Sequence, residues 1–131
     1  MESVKDIKSV TDIQRLVDAF YTKVLDDEVI GHFFTRVVPL DLDVHLPILY
    51  RFWENMLLDR PVYQGNPMLK HLAMDAISPM EPQHFARWLA LWKETVDTYF
   101  AGELAEKAKY RAEQIALLMQ HKVDARRKGY H

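Results

Sequence analysis

The sequence predicts an all-α domain, and three observations carry that reading. Apolar residues recur at helical spacing along both flanks of the chain. No stretch shows the period-two run of β-branched residues that marks a strand. All six prolines fall between Pro39 and Pro82, so the flanks read as long helices and the middle as shorter pieces. At 131 residues the chain is one domain's worth, and 49% hydrophobic with 27% charged residues is the composition of a folded globular protein. No internal repeat or low-complexity tract interrupts it.

The first helix is expected over about Thr11 to Leu25, with Thr11 and Gln14 at capping-box spacing. Ile13, Leu16, Val17, Phe20 and Val24 form its apolar stripe, with Tyr21 beside it. A turn-like piece follows around Ile30 to Phe34. The second helix spans about Asp43 to Leu58, with Leu42, His45, Leu49, Phe52, Trp53 and Met56 on one side. Arg60 to Met68 is a loop on its local signals, which are two prolines, a glycine, and Asn66 before Pro67. Leu69 to Met74 then leaves room for a turn or two of helix, with His71 in its centre. Ser78, Pro79 and Glu81 predict the next helix start, with Ser and Glu at capping-box spacing and Pro at the first helical position. Phe85, Trp88, Leu89, Trp92, Val96 and Tyr99 carry its apolar face as far as Gly102. A last helix, roughly Glu103 to Asp124, presents Leu104, Ala108, Ile115, Leu118 and Met119. The tail from Arg126 to Gly129 is basic and solvated.

Several function classes drop out. A net charge of −2 argues against a general nucleic-acid binder, which needs a basic surplus to neutralise phosphates. Zero cysteines exclude a disulfide scaffold, a thiolate zinc site and a thioether-attached haem. The charge-free stretches are far shorter than the roughly 18 residues of a membrane span. The charged start of the chain shows no secretory signal, and a cytoplasmic protein is expected. No HExxH pair, glycine-rich phosphate loop or GxSxG turn is present. Most hydrolase and phosphoryl-transfer chemistry is thereby set aside.

What is left is a set of histidines and aromatic donors on apolar faces. His71 sits between Leu69 and Leu72 in a short segment entered through a Pro/Gly loop. Such a segment can aim one neutral imidazole at the iron of a flat cofactor, and it can equally hold an ordinary half-exposed histidine. His45, Leu49 and Phe52 stand at i, i+4 and i+7 of one helix, which would set a polar group at the edge of an apolar ring contact. Simple packing explains Leu49 and Phe52 as well. Tyr21 and Trp88 each put a hydrogen-bond donor on an apolar stripe, where burial demands a partner. A dioxygen pocket needs such donors, and helical cores also contain Tyr and Trp that merely pack.

The order of these elements resembles the truncated haemoglobins, most closely group III. The resemblance is carried by Phe20-Tyr21, by His45 followed by Phe52-Trp53, and by the block Tyr63-Gln64-Gly65-Asn66-Pro67-Met68-Leu69-Lys70-His71-Leu72. The string His84-Phe85-Ala86-Arg87-Trp88-Leu89-Ala90-Leu91-Trp92 completes it, and the whole covers roughly Ile13 to Met119. The chain lacks the glycine pairs of other truncated haemoglobins, as group III members do.

The resemblance implies a shortened globin fold, a two-over-two helical sandwich enclosing haem b. It implies one domain over residues 1–131, with 1–10 as an N-terminal extension and 126–131 as a basic tail. His71 becomes the proximal iron ligand, and Tyr21, His45 and Trp88 become the distal pocket. Phe34 falls near an aromatic haem contact, and Leu49, Phe52, Trp53 and Met68 join it among the cofactor contacts. Lys70, Tyr63 and Arg60 are candidates for the haem propionates. Pro47, two residues after His45, costs an interior helix a hydrogen bond. The second helix is therefore expected to start near His45 or bend there. His84 is the rival iron ligand, while His32, His121 and His131 read as surface histidines.

Three function classes follow. The first is reversible binding of a diatomic ligand (dioxygen, nitric oxide or carbon monoxide), with cyanide and peroxide as further candidates. The second is a haem enzyme for nitric-oxide dioxygenation or peroxide chemistry, served by an unidentified reductase. A donor-rich distal side suits both. The third is a haem-free globin-like interaction module. A monomer without nucleic-acid or membrane partners is expected.

Overall fold

The computed structural model describes residues 4–33, 42–59 and 80–127. Four helices stand in them: α1 (Val10–Leu25), α2 (Leu42–Leu58), α3 (Pro82–Tyr99) and α4 (Glu103–Arg127). The pair α1–α2 lies on the pair α3–α4, with α1 against α3 and α2 against α4. The described residues contain no strand. The expected segments around Arg60 to Met68 and Leu69 to Met74 lie outside the described residues. None of the described helices is long and apolar enough to cross a membrane.

The start of α1 is two residues earlier than the capping signal at Thr11 suggests. Ser9 is the N-cap, its hydroxyl accepting from Asp12 N at 3.3 Å, and the Asp12 carboxylate accepts from Lys8 N at 2.9 Å. Ser9-x-x-Asp12 thus satisfies the free amides from both sides, and the acidic side chain also suits the positive end of the helix dipole. The stripe reads as expected, with Ile13, Leu16, Val17, Phe20, Tyr21 and Val24 all buried.

The centre of the molecule is aromatic. Trp53 of α2 and Trp92 of α3 stack at 4.4 Å between ring centres, and Phe20 of α1 meets Trp92 edge-on at 5.0 Å. The Trp92 indole donates to Ala108 O of α4 at 3.1 Å. On α4 the buried face is Ala105, Ala108, Ala112, Ala116, Met119 and Val123, while Leu118 is exposed and Leu104 and Ile115 are half-buried. The expected face is therefore rotated from leucines to alanines. Small side chains let helix backbones approach and leave room for the indoles of the opposite layer.

Residues 4–9 pack against the body. Ile7 is buried, and Ala101 N donates to Lys5 O at 3.1 Å. The Asp6 carboxylate accepts from Leu104 N and Ala105 N at 2.9 and 2.8 Å, capping α4 from a distant part of the chain. Gly102 makes this approach possible. Its φ is 143°, and a Cβ there would lie 2.5 Å from Asp6 Cγ.

Burial works to raise the Asp6 pKa, but hydrogen bonds from Leu104, Ala105 and Ile7 outweigh it and hold the carboxyl below its ordinary value. Asp6→Ala should cost about 1–2 kcal/mol in denaturant unfolding, the usual loss for a helix cap. Because the folded pKa is depressed, the contribution is complete above the ordinary carboxylate range and lost as pH falls through the folded value. The gap between wild type and Asp6→Ala should therefore close in acid.

Candidate functional site

Two sets of side chains meet between α1, α2 and α3. The first is a polar pair. Tyr21 Oη lies 3.2 Å from His45 Nε2, and the rings meet edge-on at 5.7 Å. Tyr21 is buried on the stripe of α1, and His45 is half-buried in the first turns of α2. Pro47 sits inside α2, which runs unbroken from Leu42 to Leu58, so the helix begins before His45. The proline removes one rung of hydrogen bonding and still leaves His45 turned toward Tyr21.

The pair has two hydrogen-bonding states. With the proton on His45 Nε2, the imidazole donates to Tyr21 Oη and the phenolic proton is free to face the pocket. With the proton on Nδ1, the phenol donates to Nε2. Burial pushes the Tyr21 pKa far above its ordinary value near 10, so the phenol stays a donor. Phe20 links this pair to Trp88, its ring meeting Tyr21 at 5.5 Å and Trp88 at 6.0 Å, both edge-on.

The second set is a narrow, partly open cleft lined by Ile30, Phe33, Met80, His84, Phe85, Trp88 and Met119. Its walls come from a helical turn after α1, from the start of α3, and from α4. Apart from His84 and the Trp88 indole nitrogen they are hydrocarbon and thioether. Ile30, Phe33, Met80 and Met119 are absent from the set that sequence reasoning singled out. Phe33 had a signal in its neighbour Phe34, whereas Met119 reaches the cleft by the packing of a distant helix.

His84 takes a capping role. The helix α3 starts at Pro82, not after Pro79, because Glu81 is the N-cap and Pro82 fills the first helical position. His84 Nδ1 accepts from Glu81 N at 2.8 Å. A neutral ring that accepts at Nδ1 carries its proton on Nε2, so it presents a donor and not the lone pair an iron ligand needs. His32 is half-buried with its ring 4.1 Å from Phe33, which corrects the expectation of a surface residue. His121 is exposed as expected.

Of the other candidates, Leu49 and Phe52 are half-buried against the core, and Trp53 is buried in its stack on Trp92. Phe34, Arg60, Tyr63, Met68, Lys70, His71 and His131 lie outside the described residues.

The sequence pattern of the bacterial-like globins matches residues 6–123. A group 3 truncated haemoglobin (ctb) of Campylobacter jejuni is 30% identical over 112 residues, covering 83% of this chain and 86% of that protein. The crystal structure of a group III truncated haemoglobin from Campylobacter jejuni superposes with a TM-score of 0.78 at 27% identity, covering 92% of this chain and 95% of that one. The chain belongs to the bacterial-like globins and, within them, to the group III truncated haemoglobins, a haem-binding class with a shortened all-α fold.

An alkaline absorbance titration checks the environment of Tyr21. Its raised pKa stabilises the fold fully below the ordinary tyrosine value, and that stability is lost as pH rises through the folded value. Tyr21→Phe should therefore leave the native tyrosinate signal unchanged up to about pH 11, since an unshifted phenol titrates near 10 and this one does not. Loss of one titrating group below that pH in the variant would count against a buried phenol.

Proposed function

We propose that this chain holds haem b through His71 and binds dioxygen or another diatomic ligand on the side formed by Tyr21, His45 and Trp88. The observation that carries the reading is the Tyr21–His45 contact at 3.2 Å in otherwise apolar surroundings. It pairs two titratable side chains at the inner face of α1 and α2, where packing alone would have favoured leucine. The donor set fits the cofactor. The Phe33, Phe85 and Met119 side chains suit a porphyrin face, and Tyr21 and Trp88 offer donors beside it. Haem, when bound, supplies an iron that takes a diatomic ligand.

The protein's own part is to hold the cofactor and to bind the ligand's partial negative charge. His71, in the Gly65-Asn66-Pro67-Met68 block, is assigned the iron. Phe34, Leu49, Phe52, Trp53, Tyr63 and Met68 are assigned its surroundings, and Lys70 its carboxylates. Tyr21 donates through its phenolic proton while His45, protonated at Nε2, holds the oxygen from behind. Trp88 donates through its indole N–H. Excluding water strengthens each of these bonds.

Purified protein reconstituted with haem should show a Soret band at one haem per chain. His71→Ala and His71→Leu should abolish stoichiometric binding or leave a weak complex of altered spin state. Wild-type spectra and haem retention in both variants would remove the assignment of His71. A wild-type chain that takes up no haem would instead favour an interaction module.

The ligand side has its own test. A hydrogen bond to a partly charged acceptor contributes about 1.5–3 kcal/mol, so dioxygen dissociation from Tyr21→Phe should quicken roughly ten- to a hundredfold. Stopped-flow rates for Tyr21→Phe, Trp88→Phe and the double variant should show coupling, because the donors share one ligand. His45→Leu should have the smaller effect, since it acts through Tyr21. If His45→Leu raises the rate most and Tyr21→Phe leaves it unchanged, the assigned roles are reversed.

A further inference from the structure

We propose that Asp27 and Arg87 form a positioning clamp that fixes the rotation of α3 and thereby aims Trp88 into the pocket. The inference rests on the reading of Trp88 as a ligand-side donor. One wall of the cleft comes from the turn at residues 28–33, through Ile30 and Phe33, and the facing wall comes from the start of α3. Arg87 ties the two walls together. Its Nε and Nη2 both reach Asp27 Oδ1, at 2.8 and 2.6 Å.

Asp27 is a firm anchor. Its other carboxylate oxygen accepts from Val29 N and Ile30 N at 3.0 and 3.1 Å, so the same side chain that grips Arg87 shapes the turn carrying Ile30. The carboxylate is 4% exposed against 45% for Arg87, which places the grip at the inner end of the arginine. The turn itself presses on the end of α1. A Cβ on Gly31 would lie 3.0 and 3.1 Å from the carbonyl oxygens of Leu25 and Val24.

The geometry of a helix carries the effect to Trp88. Neighbouring residues point about 100° apart around the axis, so α3 cannot roll with Arg87 held unless that grip breaks. Trp88 is then aimed by the clamp on one side and by the edge contact with Phe20 on the other. The further tie between α1 and α3, Lys23 to Glu94, is exposed and two turns away from the cleft. Loss of the Arg87 side chain would uncover the Asp27 carboxylate to water, and the link between the turn and α3 would be lost.

Carbon monoxide is the probe. In haem-loaded protein, Arg87→Ala should move the C–O stretch of added carbon monoxide and speed its dissociation roughly fivefold, the loss of about one neutral hydrogen bond. Arg87→Lys, which keeps the charge without the guanidinium fork, should recover part of both and covers the case in which the alanine variant fails to fold. In a Trp88→Phe background neither change should appear, because the clamp acts through the indole. A lowered melting temperature with an unchanged stretch and rate would overturn the proposal, as would an equal effect in the Trp88→Phe background.

A haem-free readout separates this inference from the functional reading. The indole ¹⁵N–¹H signal of Trp88, assigned by its loss in Trp88→Phe, should shift in haem-free Arg87→Lys and Asp27→Asn. An unmoved signal refutes the clamp even if haem binds. A wild-type chain that takes up no haem refutes the functional reading, while the indole signal still decides the clamp.

Discussion

One side chain touches all four described helices. Trp92 of α3 stacks on Trp53 of α2, receives the edge of Phe20 from α1, and donates to the Ala108 carbonyl of α4. A buried tryptophan supplies more apolar area than any other residue, and its indole N–H must find an acceptor in the interior. The acceptor is a helix carbonyl that alanine leaves open. The packing of the two layers therefore converges on one ring. Truncating a ring of this kind to alanine typically costs about 3–5 kcal/mol, a large share of a small domain's stability.

The polar pair is built on the rim of that aromatic centre. Phe20 meets Trp92, Trp88 and Tyr21 edge-on, so the ring that secures the core also spaces Tyr21 from Trp88. Rigid aromatic neighbours on both sides limit how far either side chain can move. Tyr21 stays protonated because its surroundings are apolar, and the same surroundings strengthen its bond with His45. Burial thus tunes the chemistry and the stability together.

Helix ends show a parallel division between local signals and distant ones. Ser9 with Asp12, and Glu81 with His84, are caps made within a few residues, each displaced by two or three positions from another pair with the same spacing. Several residues near each start can cap, and the packing of the helix selects among them. Asp6 capping α4 has no local signal at all, since the two amides it satisfies are about a hundred residues away in the chain. Asp27 is similar, serving its own turn and the distant Arg87 with one carboxylate.

The all-α class, the buried stripe of α1 and the extent of α2 were legible in the sequence by itself, because a period of 3.6 in the apolar residues is a property of each helix alone. So were Tyr21, His45 and Trp88 as polar groups on apolar faces, and the Gly65-to-His71 block by its resemblance to a family. Their meeting was not. Tyr21 and His45 lie 24 residues apart on different helices, and periodicity says which face is apolar without saying which side chains face each other across it. The alanine face of α4 escaped for a related reason. Hydropathy favours leucines, whereas burial there is decided by how closely two backbones must approach to seat Trp92. His84 likewise became a cap and not a ligand through its bond to Glu81 N. Local energies of one or two kcal/mol choose the helices, and the crossing of helices, set by side-chain size, decides which donors share a pocket.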